Sequence, residues 1–270
     1  MERIKQAIEK ATQQNLNEGG RMPYSQSDDK TGPSAGTTPQ SSDVLEKVSY
    51  QQTRVVKLKA DILEKNRIFA FNKDDPASMI FDLLRTQVLQ TMEEKGWRTL
   101  AITSATPGAG KTAVAINLAM SIAQKTNRSA MLVDFDLRQP RIGTYLGLPM
   151  EKSLNDLLNG DAELSEILVN PDIPRLVIVP TREAVSKPSE VLSSNKIAGL
   201  IKDLRERYDS RITIFDLPSL LHSDDAISVI PQIDCILMVV ANGMSSKLEI
   251  ENALRHLSRA NLIGTVFNKA

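Results

Sequence analysis

The chain has 270 residues, with 33 Lys and Arg against 33 Asp and Glu, and 41% of it is hydrophobic. That length suits one or two domains with a real core, and a zero formal charge supplies no long-range field toward nucleic acid or anionic lipid. The single cysteine, Cys235, permits neither an internal disulfide nor a cysteine zinc cluster, and no stretch approaches the roughly 20 apolar residues of a membrane-spanning helix, so a disulfide scaffold and an integral membrane protein are excluded.

The start of the chain, Met1-Glu2-Arg3-Ile4-Lys5-Gln6, reads as a polar helix rather than a signal peptide, so a reducing cytoplasm is the expected location. Ile4, Ala7, Ile8 and Ala11 repeat at helical spacing and predict an amphipathic helix over residues 1–17. Its stripe is too narrow to fold alone, so the helix either frays or docks onto a partner or the body. Residues 18–43 are dominated by Gly, Ser, Thr, Pro, Gln and Asp and predict a flexible linker, which runs on to residue 53 and holds Tyr24.

A folded domain is expected over 54–270. A short strand at Thr53–Leu58 comes first, followed by an amphipathic helix over 77–94 carrying Ile80, Leu83, Leu84, Val88, Leu89 and Met92. Strands are then expected at Thr99–Ser104, Ala130–Phe135, Leu176–Pro180, Ile212–Phe215, Cys235–Ala241 and Ile263–Phe267. Helices alternate with them at about Lys111–Gln124, Ser153–Asn159, Asn195–Tyr208, Asp224–Val229 and Lys247–Ala260. Continuous apolar strands separated by helices predict an α/β fold in three layers, a mostly parallel sheet with helices on both faces. Trp97 reads as a core anchor, the Lys and Arg of residues 54–73 as a solvated face, and His222 and His256 as surface histidines without metal-ligand spacing.

Three motifs carry chemistry. Ser104-Ala105-Thr106-Pro107-Gly108-Ala109-Gly110-Lys111-Thr112 follows a strand and opens a helix, the context of a phosphate-binding loop. Gly108 and Gly110 let successive N–H groups turn inward, and the helix start adds its positive dipole end. Pro107 through Ala113 are therefore the expected nucleotide-binding residues, with Lys111 reaching the β- and γ-phosphates and the Thr112 hydroxyl holding magnesium. Next, the apolar run Ala130–Val133 delivers Asp134 and Asp136 at its C-terminal end, where ligands gather in open α/β sheets. Such a pair can hold Mg2+ and orient or deprotonate an attacking hydroxyl. Asp216, closing the strand Ile212–Phe215, is the expected further magnesium carboxylate. Asn268 ends the last strand with an amide able to read a purine edge.

In this order the motifs resemble those of the bacterial tyrosine kinases of capsule and exopolysaccharide synthesis, P-loop proteins of the ATPase superfamily. The likeness covers roughly residues 75–270 and includes Arg85-Thr86, Asp134-x-Asp136-x-Arg138-x-Pro140, Lys187–Ser194, Asp216-x-Pro218 and Gly264-x-Val266-x-Asn268. It implies an Mg-ATP-dependent protein tyrosine kinase regulating polysaccharide synthesis, chain length or export. Lys111, Asp134, Asp136 and Asp216 would be its catalytic residues, and Asn268 its adenine contact. It also implies an activating partner, a membrane polysaccharide co-polymerase or chain-length protein that would hold the chain at the inner membrane, and self-association.

The departures shape the alternatives. The family's tyrosine-rich tail is not found before Ala270, and the tyrosines are Tyr24, Tyr50, Tyr145 and Tyr208. The ring-forming Glu-x-x-Arg-x-x-Arg pattern reads Met79, Asp82, Arg85. Both departures favour a second reading, a non-kinase ATP switch or scaffold acting with the membrane co-polymerase. A partition-type ATPase is disfavoured, because Thr106 stands where those proteins place a lysine that crosses to the partner's phosphate.

Overall fold

The computed structural model describes residues 53–72 and 74–269. The helix expected over 1–17 and the linker expected over 18–52 lie outside the described residues. Eight strands form one sheet: β1 (Arg54–Val55), β2 (Thr99–Ser104), β3 (Ser129–Asp134), β4 (Val169–Asn170), β5 (Leu176–Val179), β6 (Arg211–Asp216), β7 (Cys235–Ala241) and β8 (Leu262–Asn268), in the spatial order β1-β4-β5-β3-β6-β2-β7-β8. The six strands from β5 to β8 in that order are parallel. β4 runs antiparallel to β5, and β1 is parallel to β4, so the outer pair is reversed.

Alternation along the strands sorts the core into two layers, because successive side chains point to opposite faces. Leu100, Ile102, Ala130, Leu132, Ile212, Ile214, Leu237 and Val239 enter one cluster. Ala101, Met131, Val133, Phe215, Ile236, Met238 and Val240 enter the other. The first face is covered by α1 (Ala60–Lys65), α2 (Ser78–Lys95), α3 (Lys111–Lys125) and α4 (Ile142–Leu146). The second is covered by α5 (Leu154–Asn159), α6 (Leu164–Ile167), α7 (Pro188–Leu192), α8 (Asn195–Glu206), α9 (Asp225–Val229) and α10 (Lys247–His256). This is the expected three-layer α/β architecture. Both faces of the central strands are dry, which is why they read as unbroken apolar runs.

Local chemistry sets the element ends. α2 stops at Gly96, whose φ of 68° turns the chain left-handed and lets its N–H return to Glu93 and Met92 carbonyls. Ser246 caps α10 by accepting from the Glu249 N–H, while the Glu249 carboxylate accepts from the Ser246 N–H. α3 is buried almost throughout, and Ala115, Ala119 and Ala123 let it lie close to the sheet. Its Asn117 staples the preceding segment in place, donating to the Arg67 carbonyl at 3.0 Å and accepting from the Ala70 N–H at 2.8 Å. Trp97 packs at the edge of the first core cluster, as expected.

Candidate active site

The C-terminal ends of β2, β3 and β6 open into one cleft of about 680 Å³. Pro107, Gly108, Gly110, Lys111, Thr112 and Ala113 line its floor. Gly108 and Gly110 have φ of 77° and 90°, a region closed to most side chains. Space is tight too: a Cβ on Gly110 would meet the Asn268 Nδ2 at 2.2 Å, and one on Gly108 would push aside the Met244 Cε at 2.9 Å. The loop is braced from β8 and from the turn after β7. Asn268 Nδ2 donates to the Ala109 carbonyl at 2.8 Å, and the Thr106 and Ser245 hydroxyls share a 2.7 Å hydrogen bond. The residue expected to read a purine therefore also holds the phosphate loop closed.

The three carboxylates occupy distinct settings. β3 and β6 pair in a register that puts Asp134 opposite Asp216. Both are buried and each keeps one oxygen, Oδ1, without a hydrogen-bond partner. The other oxygen of Asp134 accepts from the Arg141 and Ile142 N–H groups at 3.0 and 2.9 Å, and that of Asp216 accepts from the Thr112 hydroxyl at 2.6 Å. Burial, reinforced by the charge of Asp216, pushes Asp134 well above the usual carboxylate range. Burial likewise raises Asp216 to about 6, against the pull of Lys111 and the Thr112 hydroxyl. Asp136 lies beyond the strand end and lines the cleft, with its Oδ2 2.7 Å from Lys111 Nζ and its Oδ1 held by the Gln139 N–H. Burial pulls the Lys111 ammonium down, but the carboxylates of Asp216 and Asp136 outweigh it and keep its pKa raised. So Asp134 and Asp136, two apart in sequence, divide their tasks: one shapes the turn from below, and the other faces the cleft.

These residues fit a magnesium-bound nucleoside triphosphate. Thr112 Oγ1 and the Asp216 carboxylate converge at the helix start, and an unpartnered buried carboxylate oxygen is a costly group that a cation relieves. Among the described residues no three His, Cys, Asp or Glu side chains form a cage of their own for a metal. Magnesium does not need one, since it keeps waters and takes one or two protein ligands beside phosphate oxygens.

Sequence reading missed several cleft residues. Arg138 pairs bidentately with the fully buried Asp225 at 2.8 and 3.1 Å, and Ser223 supports the same carboxylate. That clamp ties the loop after β3 to the loop after β6 across 87 positions, a link visible only once strand order is known. His222, read as a surface histidine, lines the cleft beside Pro218 and Ser219. Lys65 and Arg67, read as part of a solvated face, also line it, because the Asn117 staple folds their segment over the start of α3. Asp82 and Arg85, from the ring-forming pattern, are tied to each other at 2.7 Å and to Ser121 of α3.

Comparison with known proteins agrees with this geometry. The family model of the AAA domain matches residues 97–254. The putative tyrosine-protein kinase EpsB of Ralstonia nicotianae is 32% identical over 197 residues, 72% of this chain but only 26% of that protein. The tyrosine-protein kinase CpsD of Streptococcus pneumoniae serotype 4 is 29% identical over 175 residues, 64% of this chain and 76% of CpsD. The solved kinase domain of the Escherichia coli tyrosine kinase ETK superposes with a TM-score of 0.69 at 25% identity, covering 80% of this chain and 88% of that domain. The chain belongs to the AAA domain family, and the relatives it resembles are named tyrosine-protein kinases. It spans about a quarter of the length of relatives such as EpsB.

Proposed function

We propose that the chain is a protein tyrosine kinase domain that transfers the γ-phosphoryl group of Mg-ATP to a tyrosine hydroxyl and so regulates exopolysaccharide synthesis or export. The observation that carries this reading is the Lys111–Asp136 pair: a phosphate-loop lysine 2.7 Å from a carboxylate that faces an open cleft. Lys111 and the inward N–H groups of the loop hold the phosphates. Thr112 and Asp216 would hold magnesium, which would lower the cost of charge building up on the transferred group, with Asp134 supporting them from beneath. Asp136 stands where an incoming hydroxyl can give up its proton. Asn268 takes the base while bracing the loop. Phosphoryl transfer asks a protein mainly for positioning and charge stabilisation, and each of these groups supplies one of the two.

Resemblance to CpsD- and EpsB-type proteins supports a membrane polysaccharide co-polymerase as activating partner, with the chain on the cytoplasmic side of the inner membrane. Among the described residues no helix is long and apolar enough to cross a membrane. The test is incubation of the purified chain with Mg-ATP, with and without the partner, followed by mass spectrometry for phosphotyrosine. Label that disappears in Lys111→Ala establishes the kinase. ATP binding and a stable partner complex without any label would instead favour a nucleotide switch whose ATP and ADP forms bind the partner with different affinity.

A further inference from the structure

Strand order gives the cleft two sides. β2, which delivers the phosphate loop, has β7 and β8 on one flank and β6 and β3 on the other. Asn268 and Lys269 follow at the end of β8, on the side read as taking the base. Asp136, Gln139 and Arg141 follow β3, two strand spacings the other way, about 10 Å. An acceptor hydroxyl that hands its proton to Asp136 therefore enters from the β3 side.

That side is walled by cations from two segments fastened together. Lys65 and Arg67 flank Asn66, whose Nδ2 donates to the Tyr145 carbonyl at 3.0 Å. Arg141 lies one helical turn before Tyr145, and its carbonyl accepts from the Tyr145 N–H at 2.8 Å. Arg141 Nη2 donates to Gln139 Oε1 at 3.3 Å, and the Gln139 N–H donates in turn to Asp136 Oδ1 at 3.0 Å. The three cationic residues thus belong to one scaffold that ends at Asp136. All three line the cleft and are exposed. Among the described residues none of them is ion-paired with an acid, and Asp136, already joined to Lys111, is the one acid lining the cleft.

The neighbouring cations have other tasks. Lys111 serves the phosphates with the loop N–H groups, and Arg138 is paired with Asp225. The charge of Lys65, Arg67 and Arg141 is left for a further anionic ligand, and its concave setting suits a chain segment better than a flat bilayer. Taken as a cube, a cleft of about 680 Å³ is roughly 9 Å across, the length of about three residues of extended chain. We propose that the acceptor of this site is a tyrosine in an acidic segment of another protein, with Asp or Glu within about three positions of it. The inference rests on the kinase reading. In the step, the tyrosine Oη forms a bond to the γ-phosphorus and its proton passes to Asp136. The bond from that phosphorus to the β–γ bridging oxygen breaks, giving phosphotyrosine and ADP.

The test gives the full chain Mg-ATP and three peptides that differ only in flanking their single tyrosine with Glu, Gln or Lys, and reads kcat/KM for each. The Glu peptide should exceed the Gln peptide on the order of tenfold, with the Lys peptide slowest, and added salt should shrink the differences. Lys65→Gln with Arg67→Gln should bring the ratio of Glu to Gln peptide toward one. Lys65→Glu with Arg67→Glu should reverse the order and favour the Lys peptide, a gain that a badly folded variant cannot mimic. Equal use of the three peptides by the wild type, or a Glu preference that survives in both double variants, overturns the proposal and leaves the kinase reading intact. Equal use together with Lys65- and Arg67-dependent sedimentation on phosphatidylglycerol vesicles overturns it too, and assigns the wall to lipid. Absence of label on every peptide, with ATP bound, removes the kinase reading and this proposal with it.

Discussion

At the end of the sheet where the strands begin, Asp234 is tied into the backbone. Its Oδ2 accepts from the Arg98 and Thr99 N–H groups at 2.9 Å each, and Thr99 returns a bond to the Asp234 N–H. At the end where the strands finish, Asp134 and Asp216 each retain a buried oxygen with no partner, and Lys111 is held between carboxylates. Both ends place carboxylates beside strand termini, and both look alike in sequence as an acid flanking an apolar run. What separates them is satisfaction. The carboxylate that locks β2 to β7 has one oxygen on backbone and the other 3.7 Å from Arg205 Nη1, whereas those around the phosphate loop hold capacity that only a cation or a donor from outside can use.

Substitutions at the two ends should break that comparison cleanly or sharpen it. The largest effect is expected at Asp136, the carboxylate facing the cleft. Asp136→Asn should lower phosphotyrosine formation by about 10²–10⁴-fold, the range for loss of a positioned base, with nucleotide affinity changed far less. Normal labelling would move proton acceptance elsewhere. Asp234→Ala should do the reverse, costing about 2–4 kcal/mol of folding stability by stranding two N–H groups, with ATP affinity unchanged in isothermal titration.

A smaller and opposite effect is expected at Asp216. Its pKa is raised from 3.8 to about 6, so between those values the folded protein binds the extra proton. The associated stability is fully present below about pH 4 and is lost as pH rises through 6, a change on the order of 3 kcal/mol. In EDTA, Asp216→Asn should therefore flatten the melting temperature between pH 4 and 8 and raise it at pH 8, while weakening magnesium-dependent nucleotide binding. A melting temperature that falls at pH 8 would show that the ionised carboxylate is stabilising. The smallest effect belongs to Ser246→Ala, where loss of the α10 cap should cost about 1 kcal/mol by chemical denaturation and leave the site untouched.

Elements with long apolar runs were legible in the sequence to within a residue or two. β2 and β7 match their expected bounds, because a doubly covered strand has no polar face to interrupt it. α1, α4, α6, α7 and β4 were not expected; each spans six residues or fewer, although the equally short α5 and α9 were expected. The phosphate loop and the acids 134, 136 and 216 were legible because each sits at a strand end within one local run. The Arg138–Asp225 clamp, the Asp134–Asp216 register and the place of His222 in the cleft depend on which strands lie side by side, and strand order is not written locally. Lys65 and Arg67 are exposed, as expected, but their place at the cleft was not legible, since the asparagine that holds their segment there lies 50 positions from Arg67 in α3.

The bond from Asn268 to the Ala109 carbonyl spans 159 positions, and β2 is flanked by β6 and β7, both made more than 100 residues after it. Synthesis runs at roughly 5–20 residues per second and domains fold as units, so a ribosome carries the complete Ser104–Thr112 loop for many seconds before the strands that seat it emerge. Until β8 has left the exit tunnel the loop lacks its brace, and the nascent chain passes through the ATP-rich cytosol with its nucleotide motif fully translated but not yet assembled.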